Sequence, residues 1–235
     1  LGVTSSNTSR GHRFDHPDDI EIESVRGYVS QLEEQGKVLV DMSVRKNKII
    51  EQVIALGEKL GGKAVVNEAL LNEVTGLVEW PVALSGEYDR RFLDLPAEAL
   101  ISSMEEHQKY FAVRDNNDVL LPYFITVCNI ESKDPSQVIA GNERVILPRL
   151  SDATFFWETD RKHSLAERSA QLKTIVFQHK LGTVYDKSKR VAQLAAVISR
   201  EINGDSKLAE RAALLSKCDL VSEMVVEFPD LQGVM

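Results

Sequence analysis

The residues best suited to binding a charged ligand are the cations gathered between positions 141 and 190. This window holds five arginines and five lysines against six acidic residues, a net charge of +4, whereas the whole chain carries -8. A segregated positive face can meet phosphate groups even on an acidic protein, because the local potential governs the encounter. A solvated helix surface is the alternative explanation of such a charge run.

Three consecutive aromatic residues, Phe155, Phe156 and Trp157, lie in the same window and offer a stacking surface to unpaired bases. On a helix they span about 200° of the circumference, so at least one of them faces solvent or a partner. Because large apolar side chains are usually buried, we expect Phe155 and Phe156 to pack in the core.

The sequence lacks the familiar motifs of catalysis and metal binding. It contains no glycine-rich loop followed by lysine and Ser or Thr, no H-E-x-x-H and no G-x-S-x-G. Cys128 and Cys218 form no C-x-x-C pair, and we interpret them as buried free thiols in a reducing cytoplasm. We therefore nominate no catalytic residue and no metal ligand.

Length and composition indicate an ordinary globular protein. The chain has 235 residues, of which 43% are hydrophobic, enough for one or two domains with a substantial core. Its longest apolar run, residues 119–125, is far shorter than the about 20 residues that span a bilayer. We expect a cytoplasmic location with no membrane contact. The missing initial Met and the abrupt end suggest a fragment of a longer polypeptide.

The first part of the chain mixes strand and helix patterns. Residues 20–22 and 37–40 predict strands, each followed by residues at helical spacing, and Gly61 with Gly62 ends the second helix. Asn67 predicts the cap of a third helix. Pro81 lies in the next strand pattern and predicts an edge strand or a bulge. The Asx-rich residues 115–118 predict the turn of a β-hairpin.

From Asp134 onward the sequence predicts helices only. Asp134 and Pro135 begin one helix, and Ser164 with Glu167 has the spacing of a capping box for another. A later apolar stripe has helical spacing and comprises Val191, Leu194, Ala195, Ile198 and Ile202. The predicted fold class is α+β, with a mixed α/β region (residues 1–155) followed by an all-helical region (residues 156–235).

The chain resembles the beta subunit of the bacterial two-subunit glycyl-tRNA synthetase. The strings that carry the resemblance are RGHRF (10–14), EVTGLVEWPV (73–82), HQKYF (107–111), NIESKDP (129–135), GNERV (141–145), PRLSDATFFW (148–157), LGT (181–183), LSKCDL (215–220) and QGVM (232–235). Together they cover essentially the whole chain.

The resemblance implies an α2β2 enzyme that joins glycine to tRNA(Gly) using ATP and Mg²⁺, with the catalytic core on the alpha subunit. It implies that this fragment holds a central mixed region and the first helices of an HD-like domain, with no catalytic residue and no cofactor of its own. Its partners would be the alpha subunit, tRNA(Gly) and the remainder of the beta subunit. The predicted tRNA contacts are the cations Arg144, Arg149, Arg161, Lys162, Lys187 and Arg190.

Two alternatives stay open at this point. The first is an HD-type metal-dependent phosphohydrolase that uses Asp186 and Asp219, although Cys218-Asp219 stands where that superfamily presents a His-Asp doublet. The second is a purely structural scaffold for the alpha subunit, anchored through the exposed part of Trp80 or Trp157.

Overall fold

The computed structural model describes residues 4–234 as two compact units. One unit comprises the residues up to Asp94 together with Met104–Arg149, and the other comprises Leu95–Ser103 together with the residues from Leu150 onward. The helices and strands, in chain order, are β1 (Thr8–Arg10), β2 (Asp19–Glu21), α1 (Tyr28–Glu34), α2 (Met42–Lys59), β3 (Lys63–Ala64), α3 (Glu68–Leu77), β4 (Val82–Glu87), α4 (Ala97–Ser102), β5 (Phe111–Arg114), β6 (Leu120–Cys128), α5 (Pro135–Asp160), α6 (Leu165–Arg168), β7 (Val176–Gln178), β8 (Gly182–Thr183), α7 (Val184–Glu201), α8 (Ser206–Leu215) and α9 (Glu223–Glu227).

The first unit is built on a four-stranded antiparallel sheet with the strand order β3-β5-β6-β4. Helices α2 and α3 contact each other, and α2 also contacts β3, β4 and β6. The helices and the sheet share one apolar core because each presents its hydrophobic positions to the other. The buried members of that core are Ile49, Val53, Leu70, Leu71, Val74, Val78, Phe111, Val113 and Ile125.

The predicted β-hairpin is present as β5 and β6. Asp115 organises the turn, since its Oδ1 accepts hydrogen bonds from the amides of Asn117 (2.8 Å) and Val119 (2.9 Å). Asp118 has a φ of 64°, a left-handed conformation that Asx residues tolerate better than most. The Asx-rich sequence is therefore what permits so tight a reversal.

Two predictions about strands had different outcomes. Strand β4 lies at the edge of the sheet, as Pro81 indicates, and the proline directly precedes the strand. The predicted strand at residues 37–40 is wrong: Lys37 has a φ of 54°, and Leu39 donates its amide to the Glu79 carbonyl outside any ladder. A left-handed residue breaks the extended backbone that strand pairing needs.

The second unit is mainly helical, with a small core of Leu172, Val184 and Cys218. The α+β class is confirmed, but the expectation of helices alone after Asp134 is wrong in one place. Strands β7 and β8 pair antiparallel as a short ribbon. The division of the sequence into regions at residues 1–155 and 156–235 stays a prediction.

Local helix signals in the second half were correctly identified. Ser164 and Glu167 form the predicted capping box at the start of α6. The apolar stripe lies on α7, which ends before Asn203, whose φ is 56°. Much of that stripe is exposed: Leu194 is 59% and Ile202 is 72% accessible. Small or polar residues, including Ser188, Ala192 and Ser199, occupy the buried face of α7 instead.

Candidate nucleic-acid interface

The six cations predicted to contact tRNA do not lie in one unit. Arg144 and Arg149 lie on the part of α5 that belongs to the first unit, and both are exposed. The other four belong to the second unit. Arg161 and Lys162 follow the end of α5, while Lys187 and Arg190 lie in the first turns of α7; Lys187 is half-buried and the other three are exposed.

The positive charge is concentrated in a smaller stretch than the sequence window indicates. Residues 141–170 carry five cations and five acids, which cancel. Residues 171–190 carry five cations and a single acid, so the entire excess of +4 lies there. We call residues 171–190 the ribbon surface, since they comprise the β7–β8 ribbon, the segment before it and the first turns of α7. Its cations are Lys173, Lys180, Lys187, Lys189 and Arg190.

None of these five cations forms an ion pair with another residue in the described range 4–234. The single acid, Asp186, is engaged elsewhere. Its Oδ2 accepts hydrogen bonds from the Thr183 amide (2.9 Å) and hydroxyl (2.8 Å), while its own amide donates to Thr183 Oγ1 (3.2 Å). This capping box stabilises the N-terminus of α7 and leaves the lysines available to an external anion.

The same contacts lower the pKa of Asp186. The largest cause is the hydrogen bond from the Thr183 amide, followed by that from its hydroxyl, and the charges of Arg190 and Lys189 act in the same direction. A carboxylate that accepts hydrogen bonds is stabilised in its ionised form. Asp186 therefore remains charged and bound to the helix start.

The turn into α7 depends on Gly182, which has a φ of 85°. A Cβ at this position would lie 2.5 Å from Asp186 Oδ2. Glycine is favoured on both counts, because other residues rarely adopt this backbone and a methyl group would displace the Asp186 carboxylate. Gly182 thus joins the ribbon to the capping box.

Two aromatic rings accompany the lysines of the ribbon surface. Lys187 Nζ lies 4.3 Å from the centroid of the Phe177 ring. Lys173 and Lys189 place their ammonium groups 5.0 Å and 5.5 Å from the centroid of Tyr185. Cations over aromatic faces hold both partners in place. The arrangement brings phosphate-binding and base-stacking groups together.

The aromatic triplet of α5 differs in part from the prediction. Phe155 is 62% accessible, so the expectation that it packs in the core is wrong. Phe156 and Trp157 are half-buried, and Phe156 makes an edge contact with Phe155 at 5.7 Å between ring centroids. Arg161 lies 5.8 Å from the centroid of the Trp157 ring.

Sequence reasoning missed Phe177 and Tyr185 as parts of a candidate site. The aromatics at 155–157 are consecutive in the sequence, whereas the ribbon aromatics Phe177 and Tyr185 are separated by a turn. The available signal was charge spacing, because five cations with one acid within 20 residues is denser than in the rest of the window. Only the folded ribbon shows that these rings accompany the lysines.

The carboxylates of the hydrolase alternative have structural partners. Asp186 caps α7, and Asp219 is buried with its Oδ2 accepting from the Gly233 amide at 2.8 Å. Within residues 4–234, no group of three or more His, Cys, Asp or Glu side chains is arranged to hold a metal ion. Both cysteines are free thiols, Cys218 buried and Cys128 half-buried. None of the helices described between residues 4 and 234 combines the length and apolarity needed to cross a membrane.

Comparison with known proteins identifies the family. The model of the family described as glycyl-tRNA synthetase beta subunit matches residues 1–235. A glycine–tRNA ligase beta subunit of Marinobacter nauticus is 58% identical over 236 residues, which cover 100% of this chain and 34% of the relative. The corresponding subunits of Hahella chejuensis and Chromohalobacter salexigens are 56% and 55% identical, with the same coverage.

The chain belongs to the glycyl-tRNA synthetase beta subunit family. It spans about a third of the length of the curated relatives that it matches. Those relatives are named as subunits of a ligase that acts on glycine and tRNA, and the phosphohydrolase alternative is not favoured.

Proposed function

We propose that this chain is a tRNA-contacting part of a glycyl-tRNA synthetase beta subunit, which positions tRNA(Gly) for aminoacylation catalysed by the alpha subunit in the cytoplasm. The observation that carries the proposal is the unpaired positive charge of the ribbon surface in a chain of this family. Contacts from lysine and arginine to phosphates fix the position of an RNA without reading its sequence. ATP and Mg²⁺ serve the whole enzyme in this proposal, and no residue described above is assigned to them.

Two of the six predicted tRNA contacts, Lys187 and Arg190, lie on the ribbon surface and are the strongest candidates. Arg161 and Lys162 are exposed on the same unit, and they extend the proposed contact to the end of α5. Arg144 and Arg149 belong to the other unit, and we propose for them a separate contact with the same RNA.

Charge reversal tests the proposed RNA contact in the full-length beta subunit assembled with its alpha subunit. The double variant Lys187→Glu/Arg190→Glu should weaken binding of tRNA(Gly) by roughly 10-fold or more, since each lost phosphate contact reduces the electrostatic part of the affinity. The matched control is Lys207→Glu/Arg211→Glu, which makes the same charge change at exposed residues of α8 in the same unit. If both double variants weaken tRNA(Gly) binding equally, or if neither weakens it, a localised contact is refuted.

We also propose that the exposed apolar face of α7 and α8 packs against the remainder of the beta subunit. Its members, with their accessible fractions, are Val191 (43%), Leu194 (59%), Ile198 (50%), Ile202 (72%) and Leu208 (65%). An apolar stripe that stays exposed along a helix, as Val191, Leu194 and Ile198 do on α7, usually marks an interface. The chain spans only about a third of its relatives, so a full-length subunit has ample further chain to cover the face.

Thermal unfolding of the full-length subunit tests this packing. Leu194→Ser/Ile198→Ser should lower the melting temperature, because covered leucine and isoleucine lose apolar burial when replaced by serine. Val226→Ser provides the control, since Val226 is 67% accessible on α9, outside that face. An unchanged melting temperature in the double variant would show that the face stays in water. If Leu194→Ser/Ile198→Ser abolished alpha-subunit binding and left the stability of the beta subunit unchanged, the result would favour the alternative of a structural scaffold for the alpha subunit.

A further inference from the structure

A bulge in the ribbon distinguishes Phe177 from the other aromatics of the second unit. Val176 pairs with Thr183 and Gln178 pairs with Gly182, so two steps along β7 match one step along β8. Phe177 is the extra residue of this irregular register. Bulges turn side chains away from the direction that a regular ladder would give them. The ring is 43% accessible although a lysine lies over it.

Tyr185 does not offer an equivalent platform. It packs against the small core of the second unit and has the ammonium groups of two lysines within 5.5 Å of its ring centroid. Phe177 carries Lys187 over its ring and stays 43% accessible, and its neighbours Val176 and Leu181 are 63% and 53% accessible. Folding does not explain why three apolar side chains lie at this turn, because side chains that stay exposed gain little hydrophobic free energy from burial.

The charges around Phe177 indicate what the ring would meet. Lys180 lies in the turn of the ribbon, Lys187 lies over the ring, and Lys189 with Arg190 follows on α7. An exposed aromatic ring with one cation over it, in a segment that carries further cations, suits a ligand with alternating phosphates and flat bases. A base in a duplex is already stacked and hidden, so a lone ring can reach only a base that is unpaired.

We infer that the ribbon surface binds an unpaired segment of RNA, with one base stacked on Phe177 and the adjoining phosphates held by Lys180, Lys187 and Arg190. This inference rests on the proposed tRNA contact and adds to it a preference for single-stranded nucleotides. An acidic protein segment would satisfy the lysines equally well but would gain nothing specific from the ring.

The test measures binding of two RNAs to the full-length beta subunit assembled with its alpha subunit. One is a two-stranded RNA duplex with a five-nucleotide single-stranded 3′ extension that carries 2-aminopurine, and the other is the same duplex with blunt ends and no unpaired nucleotide. The variant Phe177→Leu removes the ring and keeps an apolar side chain, whereas Phe177→Trp keeps a stacking face. Phe155→Leu is the matched control, because Phe155 is also well exposed in this unit, at 62%.

Phe177→Leu should weaken binding of the extended duplex by about 5- to 100-fold and leave the blunt duplex unaffected, in line with the loss of one stacked base. Quenching of 2-aminopurine fluorescence on binding should be lost in this variant and retained in Phe177→Trp and Phe155→Leu.

The outcomes separate this inference from the proposed function. If charge reversal at Lys187 and Arg190 weakens both RNAs while Phe177→Leu changes neither, the tRNA contact stands and base stacking is overturned. If neither substitution changes RNA binding, both fail together. A glutamate-rich peptide and an RNA of equal charge can each be tested as competitors of the extended RNA. If the peptide competes as effectively as the RNA, the inference is overturned and the surface binds protein. If Phe155→Leu, and not Phe177→Leu, weakened binding of the extended RNA, the stacking ring would lie on α5. That result would contradict the assignment to the ribbon.

Discussion

Arg168 and Asp160 form a buried ion pair in which Nη2 of the arginine lies 2.8 Å from Oδ1 of the aspartate. The side chains are only 8% and 12% accessible. The same carboxylate accepts hydrogen bonds from the amides of Glu223 (2.9 Å) and Met224 (2.8 Å), and Arg168 Nη1 donates to the Val221 carbonyl (3.1 Å). Arg168 therefore joins the end of α5 to the start of α9 and is a structural cation within the positive window.

The first prediction concerns this pair. Arg168→Met should lower the free energy of unfolding by about 3 kcal/mol, because removing one partner leaves a buried carboxylate without its counter-charge. Urea unfolding followed by circular dichroism measures the loss. Arg161→Met is the control at an exposed neighbour and should stay within about 0.5 kcal/mol of the parent. A similar effect of both substitutions would mean that the pair is not structural.

The second prediction concerns the turn at Gly182. Gly61 and Gly182 both have positive φ, 80° and 85°, but an added Cβ has nothing within 4 Å at Gly61 and meets Asp186 Oδ2 at Gly182. Gly61→Ala should therefore cost only the backbone penalty of about 1 kcal/mol. Gly182→Ala should cost clearly more and should also weaken RNA binding, since it displaces the capping box. Thermal unfolding compares the two; equal losses would contradict the steric argument.

The third prediction concerns acid stability. The folded state lowers the pKa of Asp186 below the ordinary value of 3.8, so the carboxylate contributes stability above pH 3.8 and loses that contribution as the pH falls through the lowered value. Asp186→Asn should therefore destabilise the protein at pH 6, and the difference from the parent should shrink steadily below pH 3.8.

Unfolding free energies of the parent and the Asp186→Asn variant, measured between pH 6 and pH 2, test that sign. Salt at high concentration serves as a control, because the hydrogen bonds from Thr183 persist while the influence of Lys189 and Arg190 is screened. A difference that grows on acidification would contradict the capping role.

The sequence predicts those parts of the fold that local chemistry determines. Asn67 caps α3, Ser164 with Glu167 forms a capping box, and Asp115 shapes the hairpin turn, as their types and spacing indicate. Each of these signals depends on side-chain to backbone hydrogen bonds within a few residues. No tertiary contact is needed to recognise them.

Other features depend on contacts that are distant in sequence. Residues 37–40 look like a strand, but Leu39 donates to Glu79 and no partner strand is present beside it in the described chain. The stripe on α7 has helical spacing, yet the helix buries small residues and exposes Leu194 and Ile202. Periodicity locates an apolar face but does not show what covers it.

The sequence predicts the excess of positive charge at the candidate site but not the spatial arrangement of its side chains. Lys187 and Arg190 were identified among the six candidate contacts, while Phe177 was not, because its exposure follows from a register shift in a three-residue strand. A pattern of two or three residues is too short to reveal such a ribbon. The charged residues of a binding site are thus easier to predict from sequence than the aromatic residues that would stack on a base.

The salt dependence of tRNA(Gly) binding tests most directly whether the ribbon surface contacts phosphates. Replacing Lys180, Lys187 and Arg190 by glutamine in the assembled enzyme should reduce the slope of log affinity against log salt by about 2 to 3, since each lost contact removes about 0.7 to 0.9 from the slope. The same replacement of Arg200, Lys207 and Arg211 should leave the slope unchanged. An identical slope for the parent and the ribbon variant would contradict the account.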